Sequence, residues 1–369
     1  MKASRQLKFI LSGGGTGGHI FPAVSIANEL KKTFPDSQFL FVGAEGKMEM
    51  EKVPKAGYEI IGLPIVGLQR RLTFKNLLLP FKLISSLLKA RKIIKSFNPD
   101  IAIGTGGFAS GPVLRMATRL GIPTLIQEQN SFAGITNKIL AKKVNTICVA
   151  YENMDRYFPR NKIVFTGNPI RQDIADLKVE KKESFDFFKL QSDKKTLLII
   201  GGSLGALTIN KSIEKGLEEI QKNDIQIIWQ TGKSYFSKAK ELESKFSNLR
   251  AYDFISRMDF AYNVADLIIS RAGASSVSEI CAVAKASILV PSPNVAEDHQ
   301  TKNAMALVNK NATILVKDAE AENNLINVAI NLLSDEKKCT ELATNANTLA
   351  VKNSAELIVQ EIKKILSVS

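Results

Sequence analysis

The chain has 369 residues and a formal net charge of +14, with 45% hydrophobic and 23% charged residues. At about 150 residues per domain that length predicts two domains, and the composition is that of an ordinary globular protein, which excludes disordered, collagen-like and coiled-coil classes. Cys148, Cys281 and Cys339 form no CxxC pair, so neither a disulfide framework nor a zinc site is expected, and a cytoplasmic location is.

Short apolar runs alternate with helical patterns along the whole chain, the pattern of parallel α/β architecture. In chain order the predicted strands are Leu7–Leu11, Gln38–Val42, Ile101–Gly104, Thr124–Gln127, Thr146–Ala150, Thr196–Ile200, Ile225–Gln230, Ala265–Ser270 and Ser287–Val290. No apolar run reaches the roughly 18 residues of a membrane span, and no signal peptide is visible. Both halves open with a strand, a glycine loop and an amphipathic helix: LKFILSGGGTGGHIFPAVSIANEL, then TLLIIGGSLGALTINKSI. Two Rossmann-like halves follow, with the crossover near Gly167-Asn168-Pro169. Beyond Pro293 there is no further proline or glycine, so the C-terminus reads as successive helices, the last near Ala355–Leu366.

The charge is unevenly shared. Residues 1–168 hold 24 basic and 10 acidic residues, while residues 169–369 hold 26 of each. A protein charged on one domain should present that domain to an anionic partner: nucleic acid, anionic lipid or a phosphorylated substrate.

Glycine loops at the carboxyl ends of parallel strands expose backbone N–H groups at a helix N-terminus, where an anion is favoured. Four occur: Gly13-Gly14-Gly15-Thr16-Gly17-Gly18-His19, Gly104-Thr105-Gly106-Gly107, Gly201-Gly202-Ser203-Leu204-Gly205, and the run from Arg271 to Glu279. One such loop is commonly just a tight turn. Four, divided between two halves, predict two phosphate-bearing ligands meeting at an interdomain cleft.

Gly13, Gly15 and Gly18 also satisfy GxGxxG, with Glu45 as a possible ribose acid, but a dinucleotide reading leaves His19 and the loops of the second half unexplained. Gly232-Lys233-Ser234 is not a P-loop, because Ile227 stands where the first glycine belongs. No DxD occurs, so no metal held that way is expected, and no cofactor is. Of the two histidines, His299 suits a structural role, whereas His19 closes a phosphate-type loop. A neutral imidazole there is a competent general base, a function that contributes about 10²–10⁴ in rate.

Taken in order, GGGTGGHIFPA (Gly13–Ala23), GTGGFASGP (Gly104–Pro112), EQNSFAGITNK (Glu128–Lys138), GNPIR (Gly167–Arg171), GGSLGA (Gly201–Ala206), RAGASSVSE (Arg271–Glu279) and DHQTKNA (Asp298–Ala304) resemble the MurG family of peptidoglycan N-acetylglucosaminyltransferases. The resemblance runs from residue 13 to 304 and implies an α/β, GT-B fold: two Rossmann-like domains with parallel sheets facing across a deep cleft, the last helix returning to the first domain. The domains would be 1–168 with 353–369, on the acceptor and membrane side, and 169–352, on the donor side. The implied reaction moves GlcNAc from UDP-GlcNAc to the C4 hydroxyl of lipid I, undecaprenyl-diphosphate-MurNAc-pentapeptide, with inversion, giving lipid II and UDP in peptidoglycan synthesis. It would take place peripherally at the cytoplasmic face of the bacterial inner membrane.

By position, the resemblance makes His19 the base, with Glu128 as the alternative. It places Thr16, Gly17, Gly18 and Asn130 near the donor sugar, and Arg171, Ser203 and Ile255 on the nucleotide and its diphosphate. Within Ala274, Ser275, Ser276, Val277, Ser278 and Glu279, the Glu279 carboxylate would take the ribose hydroxyls; Gln300 would take the GlcNAc hydroxyls. Gly13, Gly14, Gly15, Gly104, Thr105, Gly106 and Gly107 would cradle the acceptor diphosphate. Departures are Gln127, where the family usually has His, Phe108, where Tyr is common, and Leu207, where Arg is frequent. The first weakens any second catalytic imidazole, and the last removes a cation near the donor diphosphate.

From Ile60 to Pro99 there are eight basic residues and no acidic one. Leu77, Phe81, Ile84 and Leu88 fall at helical spacing, and so do Leu83, Leu87, Ala90 and Ile94. Two apolar rows exceed one buried face. Either the first row, flanked by Lys82, Lys89 and Lys92, lies on an anionic bilayer, or the segment is a core-facing helix with a solvated basic side. Nucleic acid is not expected, since stacking aromatics and recognition motifs are missing. Two other functions stand beside the transferase: a UDP-GlcNAc epimerase on a similar fold, and a non-catalytic, membrane-docked sugar-nucleotide-binding subunit.

Overall fold

The computed structural model describes residues 6–65, 79–202 and 205–368. Leu77 and Ser203, both expected at functional surfaces, lie outside the described residues. The chain divides into two compact units, Met1–Ile170 with Asn353–Ser369, and Arg171–Lys352.

The first unit is built on a sheet of seven parallel strands: β1 (Lys8–Gly13), β2 (Gln38–Ala44), β3 (Ile60–Leu63), β4 (Ile101–Gly106), β5 (Thr124–Glu128), β6 (Thr146–Val149) and β7 (Ile163–Phe165). Their order is β3-β2-β1-β4-β5-β6-β7. Along β1 successive side chains serve opposite cores. Ile10 packs with Val42, Ala102 and Leu114 on one face, while Phe9 and Leu11 meet Ile20, Ile26 and Leu30 of the Gly17–Thr33 helix on the other. Burial on both faces is why the strand reads as one uninterrupted apolar run. The closing helix Ser354–Leu366 buries Ile358, Val359 and Ile362 in that second core, so the chain finishes on the unit where it began.

The second unit holds β8 (Thr196–Ile200), β9 (Gln226–Gln230), β10 (Leu249–Tyr252), β11 (Leu267–Ser270), β12 (Ala286–Leu289) and β13 (Ile314–Leu315), in the order β10-β9-β8-β11-β12-β13, again all parallel. Leu197 and Ile199 face one core with Trp229, and Leu198 and Ile200 face the other with Tyr262 and Val277. The residues after Pro293 are not helical throughout: β13 interrupts the helices His299–Val308 and Asp318–Ser334 as an edge strand.

Strand order reverses between β1 and β4 in one sheet and between β8 and β11 in the other. In doubly wound sheets, ligands bind at the carboxyl ends of the strands where that reversal occurs. All four glycine loops follow these four strands, so each sheet carries two at its own switch point.

Candidate active site

In the first unit the loops after β1 and β4 are pressed together, and their glycines are there for contact. A Cβ on Gly107 would lie 2.3 Å from the Gly14 carbonyl oxygen, and one on Gly13 would lie 1.9 Å from the Thr105 hydroxyl. Gly106 and Gly107 also hold φ of +97° and +86°, a region closed to most side chains. Beneath the first loop sits a residue without any signal in the local sequence. Glu49 opens the short helix Glu49–Lys55 and is fully buried. Its carboxylate accepts from Gly15 N–H at 2.9 Å and Ala44 N–H at 3.0 Å, and a Cβ on Gly14 would run into it. This corrects one expectation. The Gly15 N–H and the space at Gly14 are taken by a protein carboxylate, so that part of the loop does not offer itself to a diphosphate.

Thr16 precedes the Gly17–Thr33 helix in extended conformation and makes no side-chain cap bond, so Gly17 and Gly18 form the first turn. His19 follows. Its carbonyl accepts from the Thr105 hydroxyl at 2.7 Å, and its ring stands 2.9 Å from where a Cβ on Gly106 would be. Nδ1 lies 2.9 Å from Gln129 Oε1. Gln129 is in turn held by Thr105 and Gln127, and Gln127 by Asn168. His19, Thr105 and Gly106 are therefore brought together, and Gln129 joins them, a residue of the EQNSFAGITNK segment to which the sequence assigned no role.

Glu128, the alternative base, is placed otherwise. It is buried, and its two oxygens accept from the backbone N–H of Asn130 and Gly134 and from the side chains of Asn130 and Asn137 at 2.9–3.3 Å. A carboxylate saturated by four donors braces the 128–137 loop, and it has no lone pair left to receive a substrate proton. Asn130 is part of the same brace.

In the second unit the loop after β8 is equally close-packed. A Cβ on Gly205 would fall 2.3 Å from the Thr231 carbonyl, and Gly202 and Gly205 have φ of +80° and +79°. Gln230, at the end of β9, ties this loop to a neighbouring segment: its Nε2 donates to the Gly202 carbonyl at 3.3 Å and its Oε1 accepts from Ile255 N–H at 2.9 Å. Ile255 itself is buried in the core.

The helix Ala274–Ala282 begins directly after the loop that follows β11, with Gly273 as its N-cap. Ala274 and Val277 point into the core, whereas Ser275, Ser276, Ser278 and Glu279 remain half-buried. The Ser275 hydroxyl is buried with no hydrogen-bond partner among the described residues, an orphan that asks for a ligand acceptor or donor. Glu279 accepts from the Tyr262 hydroxyl at 2.9 Å. Burial pushes its carboxyl up to about 7, against the hydrogen bond from Tyr262 and the charge of Arg171, which both pull it down. Arg171 is anchored by Asp173. Arg171, Tyr262 and Glu279 thus form one electrostatic group beside the serine-rich helix start. Gln300, first turn of the next helix, accepts from Ser292 N–H at 2.8 Å. Arg271 is a structural pin, donating to the Val290 and Pro291 carbonyls and pairing with Asp318.

The basic amphipathic segment forms the helix Leu79–Phe97. Ala90, Ile93 and Ile94 enter the core, while Phe81, Ile84 and Leu88 are 70%, 56% and 61% exposed. Of the cations expected there, Lys89 is paired with Glu45 at 2.8 Å, which also removes Glu45 from any ribose. Among the described residues no helix is long and apolar enough to cross a membrane.

Comparison with known proteins accords with this geometry. The profile of the glycosyltransferase family 28 N-terminal domain matches residues 9–149, and that of the glycosyltransferase family 28 C-terminal domain matches residues 196–360. The chain is 54% identical over 364 residues, 98% of its length and 99% of the relative's, to the UDP-N-acetylglucosamine–N-acetylmuramyl-(pentapeptide) pyrophosphoryl-undecaprenol N-acetylglucosamine transferase of Parabacteroides distasonis. It is 56% identical over 363 residues, 97% of this chain and 96% of the other, to the protein of the same name from Bacteroides fragilis. The crystal structure of Acinetobacter baumannii MurG superposes with a TM-score of 0.76 at 29% identity, covering 97% of this chain and 99% of that one. With both domain profiles matched in order and relatives of this identity along its whole length, the chain is a glycosyltransferase and belongs to glycosyltransferase family 28.

Proposed function

We propose that this chain transfers N-acetylglucosamine from UDP-GlcNAc to the muramyl sugar of an undecaprenyl-pyrophosphoryl MurNAc-pentapeptide, giving lipid II and UDP. The observation that carries this reading is the end-to-end identity with relatives named for that transfer. The chemistry of the two switch points fits it.

In the reaction the acceptor C4 oxygen forms a bond to the sugar C1 as the bond from C1 to the UDP oxygen breaks. The bonding electron pair leaves with UDP, and the hydroxyl proton passes to His19. Attack opposite the leaving group inverts C1. The leaving diphosphate gathers charge as the bond stretches. Donors fixed in place beforehand stabilise that charge without reorganising: Arg171, and Ser275 with the N–H groups at the start of the Ala274–Ala282 helix; the family resemblance adds Ser203 to them. Glu279, when ionised, accepts both hydroxyls of a ribose diol. The Gln300 carbonyl is engaged by Ser292, which leaves its Nε2 hydrogens for sugar hydroxyls. On the acceptor side, the Gly104–Gly107 loop meets the lipid diphosphate, while Thr16, Gly17 and Gly18 serve the transferred sugar. Phe81, Ile84 and Leu88, with Lys82 and Lys92 beside them, rest on an anionic bilayer at its cytoplasmic face, where a lipid-linked acceptor is found.

Incubation of the purified chain with UDP-GlcNAc and a lipid I analogue tests the proposal. Disaccharide product and UDP are expected. Isomerised sugar nucleotide without acceptor would replace the reading with an epimerase, and binding without turnover would replace it with a non-catalytic subunit.

A further inference from the structure

The two nitrogens of His19 are chemically distinct, and its neighbours decide which one carries the proton. Gln129 Oε1 is 2.9 Å from Nδ1. That oxygen cannot be exchanged with Nε2 of the same amide, because Gln129 Nε2 donates to the Thr105 carbonyl at 2.8 Å and the Gln127 carbonyl at 3.1 Å, and also meets the Gln127 side-chain oxygen. A flipped amide would set its oxygen against three oxygens that have no hydrogen to give. The surrounding groups remove any slack. Gln127 Nε2 donates to Asn168 Oδ1 at 2.9 Å, Asn168 Nδ2 donates to the Gln129 carbonyl at 3.0 Å, and all three side chains are buried.

We propose that Gln129 is a positioning residue that holds His19 in the Nδ1–H tautomer and so makes Nε2 the proton-accepting atom. Nδ1 must donate, since a carboxamide oxygen can only accept. The ring's lone pair then lies on Nε2, directed away from the network. When Nε2 receives the acceptor's proton, the imidazolium keeps its Nδ1–H bond to a neutral amide. The ring is thus oriented by a neutral amide and not by a carboxylate. The inference rests on the reading of His19 as base.

The chain has only two histidines, which makes the tautomer directly observable. Long-range ¹H–¹⁵N correlation spectra of the ¹⁵N-labelled wild-type protein at mildly alkaline pH, assigned with His299→Gln, should give His19 a pyrrole-type Nδ1 and a pyridine-type Nε2. The opposite pattern overturns the proposal with no reference to activity. In Gln129→Leu the ring should become a mixture of tautomers and kcat should fall about 10- to 100-fold, part of what a base contributes, while KM for UDP-GlcNAc stays within about twofold. Unchanged tautomer and kcat in Gln129→Leu would sink the assignment to Gln129. If His19→Ala keeps its turnover while the wild-type spectrum is as expected, the base reading falls and the hydrogen-bond arrangement stands.

Discussion

The Tyr262 hydroxyl donates to Glu279 Oε2 at 2.9 Å inside the second unit, and this single bond does not compensate the carboxylate for its burial. Its pKa of about 7 against an ordinary 4.5 means that the folded state holds a proton which the unfolded chain gives up. A raised carboxyl costs stability as pH climbs from 4.5 through 7, because the folded protein must then either keep the proton or bury a charge. Glu279→Gln should therefore stabilise the chain at pH 8 by on the order of 2 kcal/mol and by much less at pH 5. Thermal melts at both values check this, and an equal Tm difference at pH 5 and pH 8 would contradict it. The same substitution should weaken UDP-GlcNAc binding at pH 8 and flatten its rise between pH 6 and 8, since the donor's diphosphate does not titrate in that range. Stability and binding should move in opposite directions if, as proposed, this carboxylate serves the ribose hydroxyls.

Glu49 is a second buried carboxylate, and each of its oxygens accepts from a backbone donor. Replacing it with Gln puts an NH₂ group against either Gly15 N–H or Ala44 N–H, leaving a donor facing a donor. The expected loss is about 1–3 kcal/mol, the usual penalty for a buried unsatisfied group. It should appear as a lower urea midpoint for the first unit, read by hydrogen exchange at Gly15 and Ala44. Protection factors unchanged from wild type would show that the loop does not depend on this carboxylate.

These two acids illustrate what the amino-acid sequence reveals and what it hides. All nine strands expected from apolar runs are present, and the four that were not expected, β3, β7, β10 and β13, are the four sheet edges. Interior strands are buried on both faces, so most of their residues are apolar, and polar ones such as Gln127 and Glu128 of β5 fall at the strand end. An edge strand such as Leu249–Tyr252 is buried only at alternate residues, so it shows no continuous run. The glycine loops were equally legible, since they follow the strands at which sheet order reverses. Their supports were not. Glu49 lies 34 residues from Gly15, Gln129 lies 110 from His19, and Tyr262 lies 17 from Glu279. Each pairing exists only once the fold has brought separate segments together, and a Glu or Gln in a polar segment looks the same whether it faces solvent or a buried donor. Gly43, whose Cβ would come within 2.5 Å of the Glu49 side chain, lies inside the observed strand β2 but one residue past the predicted run, so it gave no warning of that carboxylate.

Gly107 offers a steric test of the contact between the two loops of the first unit. An alanine there combines an unfavourable positive φ with a Cβ 2.3 Å from the Gly14 carbonyl oxygen. The conformational term alone costs about 1–2 kcal/mol, and the clash must be relieved by moving backbone. Because the Gly106 backbone packs on the His19 ring, that movement should carry the imidazole with it. Gly107→Ala should thus lower kcat at least about tenfold, a modest displacement being enough to lose that much, together with a measurable drop in Tm. Gly121→Ala serves as the comparison, since Gly121 has φ of +73° with no atom within 4 Å of a Cβ, and it should cost stability without touching turnover. Equal effects of both substitutions on kcat would show that loop contact is not what positions the site.

The exposed row Phe81, Ile84 and Leu88 on the Leu79–Phe97 helix gives the last prediction, in which two contributions can be separated. Lys82 and Lys92 are the cations to reverse. Lys89 is not, because Lys89→Glu would also set two carboxylates together at Glu45. Each cation near an anionic surface contributes about 1 kcal/mol, so Lys82→Glu with Lys92→Glu should weaken sedimentation with phosphatidylglycerol-containing vesicles by about 30-fold or more. The effect should vanish at high salt, where surface charges are screened. Phe81→Ser with Leu88→Ser should instead reduce binding to neutral and anionic vesicles alike, independently of salt, since it removes buried apolar area. Neither pair of positions lies in the core, so the thermal melt should stay close to that of the wild type. Turnover of a short, water-soluble acceptor should stay unchanged in both double variants while turnover of the lipid-embedded acceptor falls. Wild-type sedimentation in both would mean that this helix is an ordinary solvated surface.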